Sequence, residues 1–165
     1  MVLFLLCQEI WAKTWTICNT CEQRSIKQTI LLANAHDTLL VQKGTYREYE
    51  IVVDKPLVIK GVDYPIVDGE KKGEIFQIQS DGVTLDGLFI INVGVSYTKD
   101  NAAIRVVRSK DFRIQNMVLE QLFFGIYLEK SSHGKVYHNR IIGEAVDEYN
   151  SGNGIQLWYS SDIEV

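Results

Sequence analysis

IRVVRSKDFRIQNMVL, residues 104–119, and IYLEKSSHGKVYHNRI, residues 126–141, share one pattern although few of their letters agree. Each stretch begins with isoleucine, has serine five places on, and has aliphatic residues ten and fifteen places on. Two further frames that start at Ile75 and Ile155 follow the same pattern as far as they extend. Because self-similarity at a regular spacing is the sequence signature of a solenoid, this stretch predicts a solenoid fold. The recurring positions are Ser80, Ser109, Ser131 and Ser160, then Leu85, Ile114, Val136 and Val165, then Ile90, Leu119 and Ile141.

The shortest distance between two frames is 22 residues, from Ile104 to Ile126. This length accommodates three strands of about five residues joined by tight turns. A doubly wound α/β fold would need a helix between strands, and the intervening segments are too short and too polar for one. The sequence therefore predicts an all-β protein, a single-stranded right-handed parallel β-helix with coils of about 22 residues.

The residues before the repeat add a helix and further strands. Apolar residues recur at helical spacing in SIKQTILLANA, residues 25–35, with Ser25 as a candidate N-cap. This segment predicts a short N-terminal capping helix. Short β-branched runs follow and predict strands at 38–41, 49–53, 57–59 and 65–67.

Composition and the termini set the domain organisation. A hydrophobic content of 46% with 23% charged residues is typical of one globular unit, and a net charge of −4 argues against a nucleic-acid partner. The apolar run 1–7 is far shorter than the roughly 20 residues of a membrane span. We assign residues 1–17 to a signal peptide or other N-terminal segment and 18–165 to the β-helix. Because the chain stops in the middle of a frame, we expect further coils in a longer protein.

A candidate groove follows from the unequal frame spacings. Two of them contain seven residues more than the shortest, and both insertions fall at the same corner, in 92–101 and 143–153. Loops raised from a rigid solenoid, together with the outward positions of the next strands, predict a surface that binds a sugar or a protein segment. A polar cover for the outer face of the sheet remains the alternative. The groove residues are Tyr97, Asp100, Arg105, Tyr127, Glu129, Asp147, Glu148, Gln156 and Trp158.

The recurring serines are expected to bond to nearby backbone in stacked turns, as are Asn116 and Asn139. No histidine is placed to act as their base, so serine catalysis is not expected.

Cys18 and Cys21 form a Cys-x-x-Cys pair with three interpretations. The first is a local disulfide in an oxidising compartment. The second is a soft-metal site, because two thiolates suit Cu(I) or Zn. The third, a redox motif, lacks the thioredoxin-like helix that should start after the first cysteine.

Four strings resemble the NosD family of nitrous oxide reductase maturation proteins. They are TILLANAHDTLLVQKGTYREYEIVVDKPLVIKG (29–61), SYTKDNAAIRV (96–106), FFGIYLE (123–129) and AVDEYNSGNGIQLWY (145–159). The resemblance extends from about Cys18 to the last residue.

This resemblance implies a periplasmic, non-enzymatic β-helix that handles copper. Its partners would be ABC transporter subunits and a copper metalloenzyme or its chaperone, in the assembly of a copper-sulfur centre. Cys18 and Cys21 are then the candidate metal ligands, since Cu(I) prefers thiolates. The alternatives are a polysaccharide-binding or polysaccharide-cleaving protein of the pectin-lyase-like superfamily and a purely structural β-helix. A lyase would need clustered carboxylates with a basic residue beside them, and only Asp100 with Arg105 approaches that arrangement.

Overall fold

A computed structural model describes residues 12–96, 98–143 and 152–165. Within these residues the chain forms sixteen short strands and one helix. In chain order they are β1 (Thr14–Ile17), α1 (Ile26–Leu32), β2 (Thr38–Val41), β3 (Thr45–Arg47), β4 (Ile51–Val53), β5 (Val58–Gly61), β6 (Ile66–Asp68), β7 (Phe76–Ile78), β8 (Thr84–Asp86), β9 (Phe89–Ile91), β10 (Ala102–Val107), β11 (Arg113–Gln115), β12 (Val118–Glu120), β13 (Phe124–Glu129), β14 (Lys135–Tyr137), β15 (Arg140–Ile142) and β16 (Ile155–Trp158).

The strands form three sheets in which every neighbouring pair is parallel. The orders are β1-β2-β5-β8-β11-β14, β16-β13-β10-β7-β4 and β15-β12-β9-β6-β3. Each successive coil adds one strand to each sheet, which is the arrangement of a parallel β-helix and confirms the predicted fold class. The second of these sheets carries the candidate site and is called the groove sheet below.

Inward-facing aliphatic residues stack into ladders that fill the interior. In the first sheet, one ladder runs through neighbouring coils and its members are almost completely buried: Leu39, Ile59, Leu85, Ile114 and Val136. Each fully buried side chain of this kind contributes about 1.5–3 kcal/mol of transfer free energy. The core is therefore a continuous column along the solenoid axis.

The predicted register is confirmed for three frames and wrong for the first. Ile104 pairs with Ile126, and Ile126 pairs with Ile155, as expected. The partner of Ile104 on the other side is Phe76, however, and not Ile75. Both Ile75 and Phe76 are fully buried, because the corner before this sheet turns two successive side chains inward. A period-two pattern could not choose between them.

The serine positions form a ladder at the next corner. The amide of Ser109 donates to Oγ of Ser131 (3.2 Å), and the amide of Ser131 donates to Oγ of Ser160 (3.1 Å). Each hydroxyl also donates to the carbonyl two residues before it. These serines are structural, as expected. Ser80 lies outside the ladder, and its hydroxyl donates to the carbonyl of Asp81.

The helix α1 is capped from both its own chain segment and the next coil. Oγ of Ser25 accepts from the amide of Gln28, which confirms the predicted N-cap. The Glu48 carboxylate also accepts from the amides of Ile26 and Lys27, both at 2.8 Å. A carboxylate at this end of a helix satisfies amides that have no partner within the helix. In the part of the chain that is described, no helix is long and apolar enough to span a membrane.

Strand β1 is anchored by the buried carboxylate of Asp37. It accepts from the amide of Lys13 (2.7 Å), the indole of Trp15 (2.9 Å) and the amide of Asn34 (2.9 Å). Burial raises the pKa of Asp37, but these hydrogen bonds and the Lys13 charge outweigh it and hold the pKa below its ordinary value. The solenoid thus includes Thr14–Ile17, inside the range assigned to the N-terminal segment. Residues 1–11 lie outside the description, so a signal peptide stays a prediction.

Candidate binding groove

A long groove lies on the outer face of the groove sheet. Its floor follows outward positions that are register neighbours in successive coils: Val52, Gln77, Arg105, Tyr127 and Gln156. At about 4.8 Å between parallel strands, five coils span about 19 Å. The volume of the groove is about 1130 Å³. The sheet therefore places these five side chains in one row across five adjacent strands.

Arg105 is at the centre of a charge cluster on this floor. Its Nε donates to Oε2 of Glu74 at 2.7 Å, and its Nη1 lies 3.8 Å from Oε2 of Glu129. The guanidinium also lies 4.3 Å above the ring of Tyr127. The Arg105 and Glu74 side chains are only 15% and 17% exposed, so their attraction is weakly screened by solvent. Both carboxylates and the aromatic ring hold the arginine in one position.

The described residues of the loop 92–101 form one wall of the groove, at the corner where the sequence predicted an insertion. Arg105 Nη2 donates to the carbonyl of Asp100, and Nδ2 of Asn101 donates to the carbonyl of Gly94 (2.9 Å). The amide of Gly94 donates to the carbonyl of Gly73 in the preceding coil (2.8 Å). A Cβ on Gly94 would lie 2.4 Å from the backbone nitrogen of Gly73, so glycine is required for this close approach.

Strand β16 carries an exposed aromatic ring that lines the groove. Trp158 is the register neighbour of Glu129, and it is 49% exposed. Its ring meets that of Tyr159 edge to face, with centroids 5.2 Å apart. Tyr127 is different, because the overlying Arg105 leaves it only 9% exposed. Trp158 is thus an open aromatic surface, whereas Tyr127 supports the arginine.

The structure brings together five of the residues predicted for this groove: Asp100, Arg105, Tyr127, Glu129 and Trp158. Gln156 follows in the same row, where its Oε1 accepts from Nδ2 of Asn153. The other three predicted residues, Tyr97, Asp147 and Glu148, lie outside the described residues, and so does most of the second loop.

Sequence reasoning missed Glu74, the strongest partner of Arg105. Glu74 lies two places before Phe76, at the corner where Ile75 and Phe76 are both buried, so the alternation of faces along β7 does not place it. The predicted groove takes its residues from the two loops and from positions that follow each frame start, and Glu74 belongs to neither set. Lys27, Glu50 and Lys72 also line the groove and were missed, because they lie before the repeat or in the turn that leads into β7.

The pair Cys18 and Cys21 forms a disulfide, the first of the three interpretations. A disulfide offers no thiolate, so this oxidised form does not suit a resident copper ion. Among residues 12–96, 98–143 and 152–165, no three His, Cys, Asp or Glu side chains gather as a metal site would need. Metal binding by Cys18 and Cys21 stays a prediction for the reduced chain.

Comparison with known proteins gives one informative similarity. The protein named "Probable ABC transporter binding protein NosD" from Pseudomonas aeruginosa is 32% identical over 116 residues. These residues make up 69% of this chain and 27% of that protein, so the chain matches about a quarter of its curated relative. No protein-family model matches the chain, and no solved structure matches it.

Proposed function

We propose that this chain is part of a NosD-type accessory protein that works with an ABC transporter in the periplasm. Its task there would be to assist assembly of the copper-sulfur centre of nitrous oxide reductase. The observation that carries the proposal is the 32% identity with the P. aeruginosa protein over 116 residues. The parallel β-helix supports it, because the described residues of the strings that resemble the NosD family lie on the strands and corners of this solenoid.

The groove supports a binding role and not a catalytic one. A lyase of this architecture would need a basic group positioned to remove a proton from a sugar ring. Arg105 is the candidate, but its Nε donates to Glu74 and its guanidinium lies on Tyr127. The charge of this guanidinium is directed at carboxylates of the same chain. These contacts fix the loop residue Asp100 and the floor residues Glu74 and Tyr127 relative to each other, which is a structural role for Arg105.

Copper enters this proposal as cargo. Cu(I) prefers thiolate ligands, and reduction of the Cys18–Cys21 disulfide would provide two of them near the start of the first coil. No step of the proposed function depends on a copper ion that stays bound to this chain.

The proposal is tested by replacing the matched segment of the P. aeruginosa protein with the corresponding residues of this chain. We expect the tagged chimera to be exported and to co-purify the ABC transporter subunits as the natural protein does. A strain that lacks NosD, carrying the tag alone, is the control. A chimera that accumulates in the periplasm and resists protease, yet retains no transporter subunit, would contradict the proposal.

The polysaccharide alternative is tested on the same purified chain. Turnover of an acidic polysaccharide that is lost in Arg105→Ala would replace the accessory role with a lyase. We expect no turnover by either protein.

A further inference from the structure

We propose that the Cys18–Cys21 disulfide accepts two electrons from a dithiol, in a reaction in which a thiolate attacks Cys21 and Cys18 is the leaving group. This inference does not rest on the accessory role, because it uses only the geometry of the turn that contains the two cysteines.

The turn around the disulfide is closed by hydrogen bonds as well as by the S–S bond. The amide of Cys18 donates to the carbonyl of Gln23 (3.1 Å), and the amide of Cys21 donates to the carbonyl of Cys18 (3.2 Å). Nε of Arg24 donates to the carbonyl of Cys21 (3.1 Å). The disulfide joins residues only three apart, and a crosslink stabilises a chain less when its loop is shorter. Reduction should therefore leave the turn and the solenoid folded.

The two cysteines differ in their access from solvent. Both are half-buried. Cys21 lines a surface pocket together with Trp15 and Leu32, whereas Cys18 does not line it. Thiol–disulfide exchange depends on which sulfur an incoming thiolate can reach. The pocket therefore makes Cys21 the site of attack.

The hydroxyl of Thr20 distinguishes the other sulfur. Oγ1 of Thr20 lies 3.5 Å from Sγ of Cys18. A disulfide sulfur carries no proton, so the hydroxyl is the donor in this contact. Exchange is faster when the departing thiolate is stabilised, and Thr20 is placed to stabilise Cys18. A thioredoxin-like site uses the start of a helix for this purpose, but α1 begins only at Ile26.

The reaction needs a dithiol and no further reactant. A thiolate of the dithiol forms a bond to Sγ of Cys21, and the original S–S bond breaks with its electron pair on Sγ of Cys18. The second thiolate of the dithiol then attacks its partner sulfur in the mixed disulfide, and Cys21 leaves as a thiolate. The dithiol is oxidised to a disulfide and the two cysteines are reduced. The two protons that the dithiol loses reach the cysteine thiolates through water.

The test is reduction of the folded chain by dithiothreitol, quenched with acid and followed by alkylation and mass spectrometry. A Cys7→Ser background leaves only Cys18 and Cys21 to react. We expect reduction to be at least as fast in the folded chain as in concentrated urea. The reduced chain should keep its circular dichroism spectrum, and its urea midpoint should fall by less than about 0.5 M. Reduced thioredoxin is the second probe: a higher rate than with dithiothreitol at equal dithiol concentration identifies proteins as the source of the dithiol, and a lower rate identifies small thiols.

Reduced glutathione, a monothiol, maps the first attack because its reaction can stop at the mixed disulfide. Early in the reaction we expect glutathione on Cys21 in about fivefold excess over Cys18. Thr20→Val should slow reduction about threefold to tenfold, through loss of the hydrogen bond to the departing thiolate. Thr20→Ser keeps the hydroxyl and should react at nearly the rate of the wild type.

Thr45→Val is the matched control, since Thr45 is an exposed strand threonine in another sheet. Circular dichroism verifies that each oxidised variant is folded. Three outcomes would overturn the inference: the disulfide is reduced only when urea unfolds the chain, glutathione is found mainly on Cys18, or Thr20→Val reacts as fast as Thr45→Val. None of these results bears on retention of the transporter by the chimera.

Discussion

Replacing Asp37 by asparagine should destabilise the first coil by a calculable amount. The carboxylate is 1% exposed and accepts three hydrogen bonds, one through Oδ1 and two through Oδ2. An asparagine oxygen in the Oδ2 position keeps the bonds from Trp15 and Asn34. Its NH₂ group then faces the amide of Lys13, so two donors meet in a buried place. Leaving a buried donor without an acceptor costs about 2–3 kcal/mol.

Urea denaturation followed by circular dichroism measures this loss. With a slope of about 2 kcal/mol per M, the midpoint of Asp37→Asn should fall by about 1–1.5 M at neutral pH. Asp54→Asn is the control, because Asp54 is 58% exposed and lies 3.7 Å from Lys55. Exposed pairs of this kind contribute little, so its midpoint should change by less than about 0.3 M.

The pH dependence tests the electrostatic part of this reasoning. The pKa of Asp37 is lowered from its ordinary value of 3.8, so its ionised form stabilises the fold above that pH. The stabilisation is lost as the pH falls through the pKa of the folded state. The difference in stability between the wild type and Asp37→Asn should therefore shrink as the pH is lowered from 6 to below the ordinary pKa of 3.8. A difference that stays constant over this range, or a variant as stable as Asp54→Asn at neutral pH, would refute the reasoning.

Three further predictions concern the serine ladder, a packed glycine and the cysteines. Ser131→Ala leaves the buried amide of Ser109 without its acceptor and should cost about 1–2 kcal/mol in urea denaturation; the same loss in Ser132→Ala would argue against the ladder. Gly134→Ala places a Cβ 2.0 Å from Cζ of Phe112 and should lower the unfolding free energy by about 1–3 kcal/mol. Gly143→Ala, which meets nothing within 4 Å, is its control, and equal effects would contradict the packing argument. Anaerobic titration against a chromophoric chelator should show Cu(I) binding by the reduced chain and none by the oxidised chain; binding that persists in the Cys18→Ser, Cys21→Ser double variant would exclude this pair as ligands.

Much of the fold could be predicted because a solenoid repeats its physical constraints in every coil. The inward positions of Ile104, Ile126 and Ile155 are equivalent, and the alternation after each of them is the same. The prediction failed where a corner interrupts the alternation, at Ile75 and Phe76. It also missed β3, because three residues after Gly44 are too few for a period-two pattern to stand out.

The candidate site was only partly predictable, for a related reason. Asp100, Arg105 and Glu129 could be placed because their positions are counted from frames with the correct register. Glu74 could not be placed, because it lies at the corner before β7, where two successive side chains are buried and the alternation of faces does not hold. The pairing of Arg105 with Glu74, 31 residues apart, depends on turn lengths that the sequence does not repeat.

The proposed function requires that this chain can replace the part of the P. aeruginosa protein that it matches. The direct measurement is nitrous oxide reduction by intact P. aeruginosa cells in which the matched segment of NosD is replaced by this chain's residues. We expect these cells to reduce nitrous oxide, whereas cells without NosD do not. A chimera that is exported and folded but leaves the cells without nitrous oxide reduction would contradict it.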